Sequence, residues 1–157
     1  MTYLVLKYFH IISAILLFGT GLGSAFYKWM ADRSGNINHM AITNKNVVLA
    51  DWLFTTPTVI FQPLSGIWMA SLVGLPLTTP WILYSLILYV IAGACWLPVV
   101  YLQIKMQKMS NQALENNTEL PKLYWKYAKL WFFLGIPAFI AMVLVVLLMT
   151  LKSTLLG

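Results

Sequence analysis

The chain of 157 residues is poor in the groups that usually carry chemistry: one cysteine, two histidines and four acidic residues. With Cys95 alone, neither an intrachain disulfide nor a thiolate metal cluster can be built, and the residue reads as a small core side chain. Charged residues make up only 9% of the chain against 61% hydrophobic, which excludes a soluble domain, since no core of this size hides so much apolar surface. There is no internal repeat, and no pair of acids falls within an apolar stretch. Both absences count against an ion or solute transporter, whose pathway needs paired carboxylates or repeated broken helices.

What is present is lipid-soluble helix. Crossing a hydrocarbon layer of about 30 Å takes roughly 20 apolar residues, and four stretches qualify: Tyr3 to Trp29, Val48 to Val73, Pro80 to Gln103 and Lys129 to Leu151. The first is longer than a secretory signal and lacks a small-residue cleavage site before Lys28 and Arg33, so it is expected to stay attached. Short connections between spans predict an all-α polytopic membrane protein, an up-down antiparallel four-helix bundle forming a single domain over residues 1–157. Asp32 to Asn46 and Met109 to Leu120 read as polar loops, with Asn36 and Asn44 as possible helix caps and Pro121 restarting ordered structure. Pro57, Pro63, Pro98 and Pro137 fall inside spans, where neighbours must satisfy the carbonyls they free.

Charge placement predicts the orientation. Eight of the ten Lys and Arg lie in the two polar loops, leaving only Lys7 and Lys152 on the other side. By the positive-inside rule both loops are cytoplasmic and both termini face outward, as expected for the inner membrane of a bacterium. The net charge of +6 then signals topology and anionic lipid, and nucleic acid is not an expected partner.

Four features invite a functional reading. His10 lies on the first span, about 9–10 Å below the outer edge of the apolar slab, and an ionisable ring at that depth is a functional candidate by default. It is either a helix contact hydrogen-bonded to a Ser or Tyr, or a heme or metal ligand. The other histidine, His39, falls about 40 Å away by residue count, so the two cannot clamp one iron. Counting depth at 1.5 Å per residue places Ser65, Trp68 and Met69 of span two, Tyr84, Ser85 and Tyr89 of span three, and Met142 to Val146 of span four at the level of His10. Met69 or Met142 would complete a His/Met axial pair, while Trp52, Trp68, Trp81 and Trp96 would wall a macrocycle. Asp51 either caps a helix or pairs with Lys28, Lys45 or Lys129, or else relays protons. Gln62 is expected to satisfy the carbonyl that Pro63 frees, with a substrate role as the alternative. Gly19, Gly21 and Gly23 mark a small-residue face suited to close helix packing.

The stretches LKYFHIISAILLFGTGLGSAFYKW, ADWLFTTPTVIFQPLSGIWM and PWILYSLILYVIAGACWLPVVYLQIKM resemble the small integral membrane proteins of domain of unknown function 2269, over most of the chain. A more distant likeness runs to HemJ-type protoporphyrinogen oxidases and CopD-type copper-resistance domains, which open with a similar Lys-x-x-His helix, here Lys7 and His10. That resemblance implies a b-type heme on His10, and with it a redox component or oxidoreductase dealing with quinol or a porphyrin. Where HemJ-type proteins carry a third-span lysine this chain has Tyr84 and Ser85, so the fold carries over better than the activity. The alternative is a cofactor-free assembly module, a homo-oligomer or a subunit of a larger membrane complex.

Reporter fusions test the orientation. Fusions after Gly74 and at Gly157 should report the outer side, and fusions at Gly35 and Asn116 the cytoplasm; reversed activities would overturn the arrangement.

Overall fold

The computed structural model describes residues 1–151 as helices joined by short turns; Lys152, expected on the outer side, lies outside them. In chain order the helices are α1 (Thr2–Ser34), α2 (Ile37–Ala50), a π-helical turn (Asp51–Thr55), α3 (Thr56–Leu72), α4 (Pro80–Glu115) and α5 (Lys122–Leu151). Because α2, the π turn and α3 run on without a break, the four candidate spans are Thr2–Ser34, Ile37–Leu72, Pro80–Glu115 and Lys122–Leu151. Among the described residues there is no strand.

These helices outrun the stretches expected from hydropathy, and for one reason. Helix continues past the apolar segment wherever capping and packing sustain it, whereas hydropathy marks only the part that lipid can solvate. Asp32 to Asn46 is therefore not a loop. Gly35 takes the left-handed conformation (φ 65°) that ends α1, and Asn36 accepts a hydrogen bond from the His39 backbone N–H at 3.1 Å to start α2. The chain doubles back in two residues. Asn36 is a cap as expected, but Asn44 is not: it is an interior residue of α2, 3% exposed. Likewise the first half of Met109 to Leu120 is helical, α4 ending only at Glu115, and α5 restarts directly after Pro121.

A surface crowded with large exposed hydrophobics, among them Leu4, Ile15, Phe26, Ile60, Val90 and Phe133, would aggregate in water and is the natural outer surface of a protein dissolved in lipid. The buried apolar core is concentrated at one end of the bundle, where the α1–α2 and α4–α5 connections lie. There Ala31, Met40, Val47, Leu102, Met106, Tyr124 and Trp131 pack together, with Met106 and Tyr124 wholly buried. Toward the other end, that of Thr2 and the α3–α4 turn, the helices divide. One pair is α1 with α3, the other α4 with α5, and α2 bridges them at the packed end.

A polar cluster ties the packed end together, and the sequence reading missed it. Lys28, expected among the cations of the first polar loop, is 2% exposed. Its ammonium donates to Asp32 Oδ2 at 3.0 Å, Asn44 Oδ1 at 3.0 Å and Tyr124 Oη at 3.1 Å. Tyr124 in turn donates to Asp32 Oδ1 at 2.6 Å, and Asn44 Nδ2 donates to Tyr124 Oη at 3.0 Å and Ser110 Oγ at 3.1 Å. All three ammonium donors are used, and α1, α2, α4 and α5 each contribute a member. The i,i+4 spacing of Lys28 and Asp32 on α1 supplies the ion pair, the sole one among the described residues.

Breaking a buried, fully bonded pair by removing one partner is strongly destabilising. Lys28→Met should therefore cost about 3 kcal/mol, and Tyr124→Phe about 1–3 kcal/mol. Lys45→Met, at an exposed position of α2, should change little. Thermal unfolding in detergent checks all three; a Lys28→Met protein melting with the wild type would show that the cluster contributes nothing.

Candidate functional site

His10 lies on the third turn of α1 and is 8% exposed. Two residues of α3, one turn apart, hold it. Ser65 Oγ lies 2.7 Å from the imidazole Nδ1, and Gln62 Nε2 donates to the His10 backbone carbonyl at 2.8 Å. Gly66 completes the seat: a Cβ there would meet His10 Cε1 at 3.6 Å, so the ring lies against the α3 backbone. Helical spacing explains the set, since positions 62, 65 and 66 share one face of α3.

The serine has one proton and several acceptors. Its hydroxyl stands 2.6 Å from the Phe61 carbonyl, the i−4 bond common for serine within a helix. With the proton there, Ser65 Oγ accepts from His10 Nδ1–H, which fixes the tautomer and leaves Nε2 with its lone pair. Among the described residues no hydrogen bond is made to Nε2.

The imidazole borders a cavity of about 890 Å³ between the two helix pairs. Met69 of α3, Trp81, Ser85 and Tyr89 of α4, and Met142 of α5 also line it, with Lys7 toward the Thr2 end. The cavity exists because α3 and α4 are spread apart there. Tyr89 crosses the gap, and its hydroxyl donates to the Val59 carbonyl at 2.5 Å. That carbonyl is the one Pro63 frees four residues on, so Tyr89 does what was expected of Gln62, whose amide instead secures His10.

The remaining expected residues divide. Trp68 does not face His10: it is 55% exposed and borders a different groove, with Met1, Phe9 and Ser13. Trp52 is 56% exposed, and Trp96 lines a second cavity, so of the four tryptophans only Trp81 borders the space beside His10. Residue counting along a helix sets the level of a side chain but not its rotation about the helix axis. Among the described residues Gly19, Gly21 and Gly23 pack against no other helix, since a Cβ on any of them would meet nothing within 4 Å. Gly19 borders the His10 cavity instead and Gly21 the second one.

Asp51 departs furthest from expectation. Helix runs straight through it, so it is no N-cap, and Lys45 and Lys129 are both exposed while Lys28 is engaged elsewhere. It opens the π turn, where the Thr56 N–H reaches back five residues to the Asp51 carbonyl. Pro57, with no N–H and a ring that crowds the carbonyl four residues before it, accounts for the wider turn. The side chain is 8% exposed, and its Oδ1 accepts from Trp96 Nε1 at 3.4 Å.

No group of three or more His, Cys, Asp or Glu able to hold a bare metal ion occurs among the described residues. No curated protein and no solved structure matches the chain. A family does: residues 4–153 match the predicted integral membrane proteins of DUF2269. With four helices long and apolar enough to cross a membrane and a match spanning nearly its whole length, the chain belongs to that family of integral membrane proteins.

Proposed function

We propose that this protein binds b-type heme through His10 in the cavity between the helix pairs, and serves as a redox component of a bacterial cytoplasmic membrane. The observation that carries the reading is the His10–Ser65 contact at 2.7 Å. An imidazole that donates Nδ1–H to a fixed oxygen and keeps a lone pair on Nε2 has the arrangement usual for a metal-ligating histidine. One histidine cannot hold a bare transition metal, but heme brings its own four nitrogens and asks the protein for only one or two axial ligands.

The donor set fits the group. Met69 and Met142 border the same cavity and are the candidate second ligands, and Trp81 and Phe139 supply apolar wall. Lys7, toward the cavity's end, suits a propionate. At about 890 Å³ the space is near the upper end of ligand cavities, roughly 300–1,000 Å³. Heme, when bound, supplies one-electron transfer; the chain's part is to orient His10, exclude water and anchor the macrocycle, with quinol or a porphyrin as the reacting partner.

A second reading is favoured by the uncovered glycine face. Gly19, Gly21 and Gly23 leave the α1 backbone open to a second helix, as in a homo-oligomer or a subunit of a membrane complex.

Absorption spectra of the purified protein, expressed with ample heme, decide. His10→Ala should lose the reduced α band while still inserting, and His39→Ala, altered at an exposed residue beyond the far end of α1, should keep it. Ser65→Ala should retain heme with a lowered affinity, by about 10-fold or more, since the imidazole loses its orienting partner. If Met69 or Met142 is the second ligand, its Leu variant should turn a six-coordinate spectrum five-coordinate and lower the midpoint potential. Full heme retention in His10→Ala would overturn the assignment; a featureless spectrum of the wild type would leave the assembly reading.

A further inference from the structure

A second cavity of about 340 Å³ lies nearer the packed end, beside Asp51. It shares Phe18, Tyr89, Phe139 and Met142 with the first, and the Phe18–Phe139 edge-to-face pair, 5.8 Å between centroids, stands between the two. Its lining is mostly apolar, and among the polar side chains that border it, Ser24, Thr55 and Tyr89 included, Asp51 and Gln103 stand out. Asp51 Oδ2 and Gln103 Nε2 are buried, and neither makes a close, well-aligned hydrogen bond; the Gln103 amide and the Thr55 hydroxyl reach the Asp51 carboxylate only as longer side-chain contacts.

Both orientations are fixed from behind. Gln103 Oε1 accepts from Trp131 Nε1 at 3.3 Å, so the amide's NH₂ is the part left over. Asp51 Oδ1 accepts from Trp96 Nε1, so Oδ2 is the oxygen left over. A buried donor and a buried acceptor so poorly bonded are costly to keep, and native proteins rarely hold two such atoms together without a use. The residues are 8% and 4% exposed, so bulk water does not reach them freely.

We infer that this chamber binds a lipophilic molecule by a hydroxyl group, an alcohol or a phenol, whose oxygen accepts from Gln103 Nε2 and whose proton goes to Asp51 Oδ2. A hydroxyl both donates and accepts, which matches the pair of atoms left over. The apolar remainder of the chamber takes an apolar body. A single water, with a share of about 30 Å³, would satisfy the two atoms and leave most of the space unused. Entry is lateral: Leu22 of α1 and Phe132 of α5 border the chamber and are exposed on the lipid-facing surface. Gly21 and Gly135 border it too, with open space where a Cβ would be. His10 is not part of this site, which borders the first cavity through Phe18, Tyr89, Phe139 and Met142.

The test uses the full chain in nanodiscs of one lipid, titrated with 4-hexylphenol, with its methyl ether 4-hexylanisole, and with 1-octanol, and reads a saturable rise in melting temperature. The wild type should bind the phenol at least about tenfold more tightly than the ether, the size of effect expected for lost hydrogen bonds. Asp51→Leu and Gln103→Met should each remove that preference, and His10→Ala should keep it, which separates this chamber from the one above. Binding of octanol would assign the site to aliphatic alcohols, and its absence beside phenol binding to phenols; both support the proposal. Equal affinity for phenol and ether in the wild type overturns it without recourse to any variant. So would a preference that survives in both Asp51→Leu and Gln103→Met, or no saturable binding of either hydroxyl probe, which would leave the two atoms to water.

Discussion

The bundle depends on one buried ammonium. Lys28 spends its three protons on three different side chains, and those side chains, with Ser110 behind Asn44, belong to four helices that otherwise meet mostly through apolar contacts. In lipid, apolar contact gives little reason for one helix to prefer a neighbour over an acyl chain, so specificity of assembly falls to packing and polar bonds. Burying a charge is expensive unless it is fully paired. Here it is, and any arrangement that slides α1 by one turn would strand it. The cluster therefore acts as a register lock, with Met106, Tyr124 and Trp131 packed around it.

With one end locked, the other is free to differ. The prolines of the second span shape it. Pro57 accompanies the π turn that opens at Asp51, and Pro63 releases the Val59 carbonyl that Tyr89 reaches across to satisfy. A tyrosine long enough to bridge α4 to α3 also keeps the two apart, so the bond that repairs the helix holds the cavity open. His10 and Asp51 thus face separate chambers of one cleft.

Much of this was legible in the sequence. Hydropathy located four spans because the bilayer imposes a length, and helix rise placed Met69, Ser85, Tyr89 and Met142 at the depth of His10, where they are found around one cavity. What stayed hidden were properties that depth does not determine. Rotation turned Trp68 and Tyr84 outward. Partner choice gave the freed carbonyl to Tyr89 rather than Gln62, because Gln62 faces α1. Asn44 and Lys28 looked like solvated loop residues, since the composition of a helix end outside the apolar slab resembles that of a loop. The i,i+4 spacing of Lys28 and Asp32 was the available signal, and it needed a buried tyrosine 96 residues away from the lysine to give it meaning.

Lateral entry between α1 and α5 would change what affinity means for the chamber beside Asp51. A molecule that enters from among the acyl chains has already left water, and the gain from removing its apolar surface has been made before it meets the protein. Little hydrophobic driving force then remains for the binding step itself, so selectivity must come from the few polar atoms inside. Occupancy would follow the molecule's mole fraction in the membrane, and two ligands of very different aqueous solubility could compete on equal terms once both are dissolved in lipid.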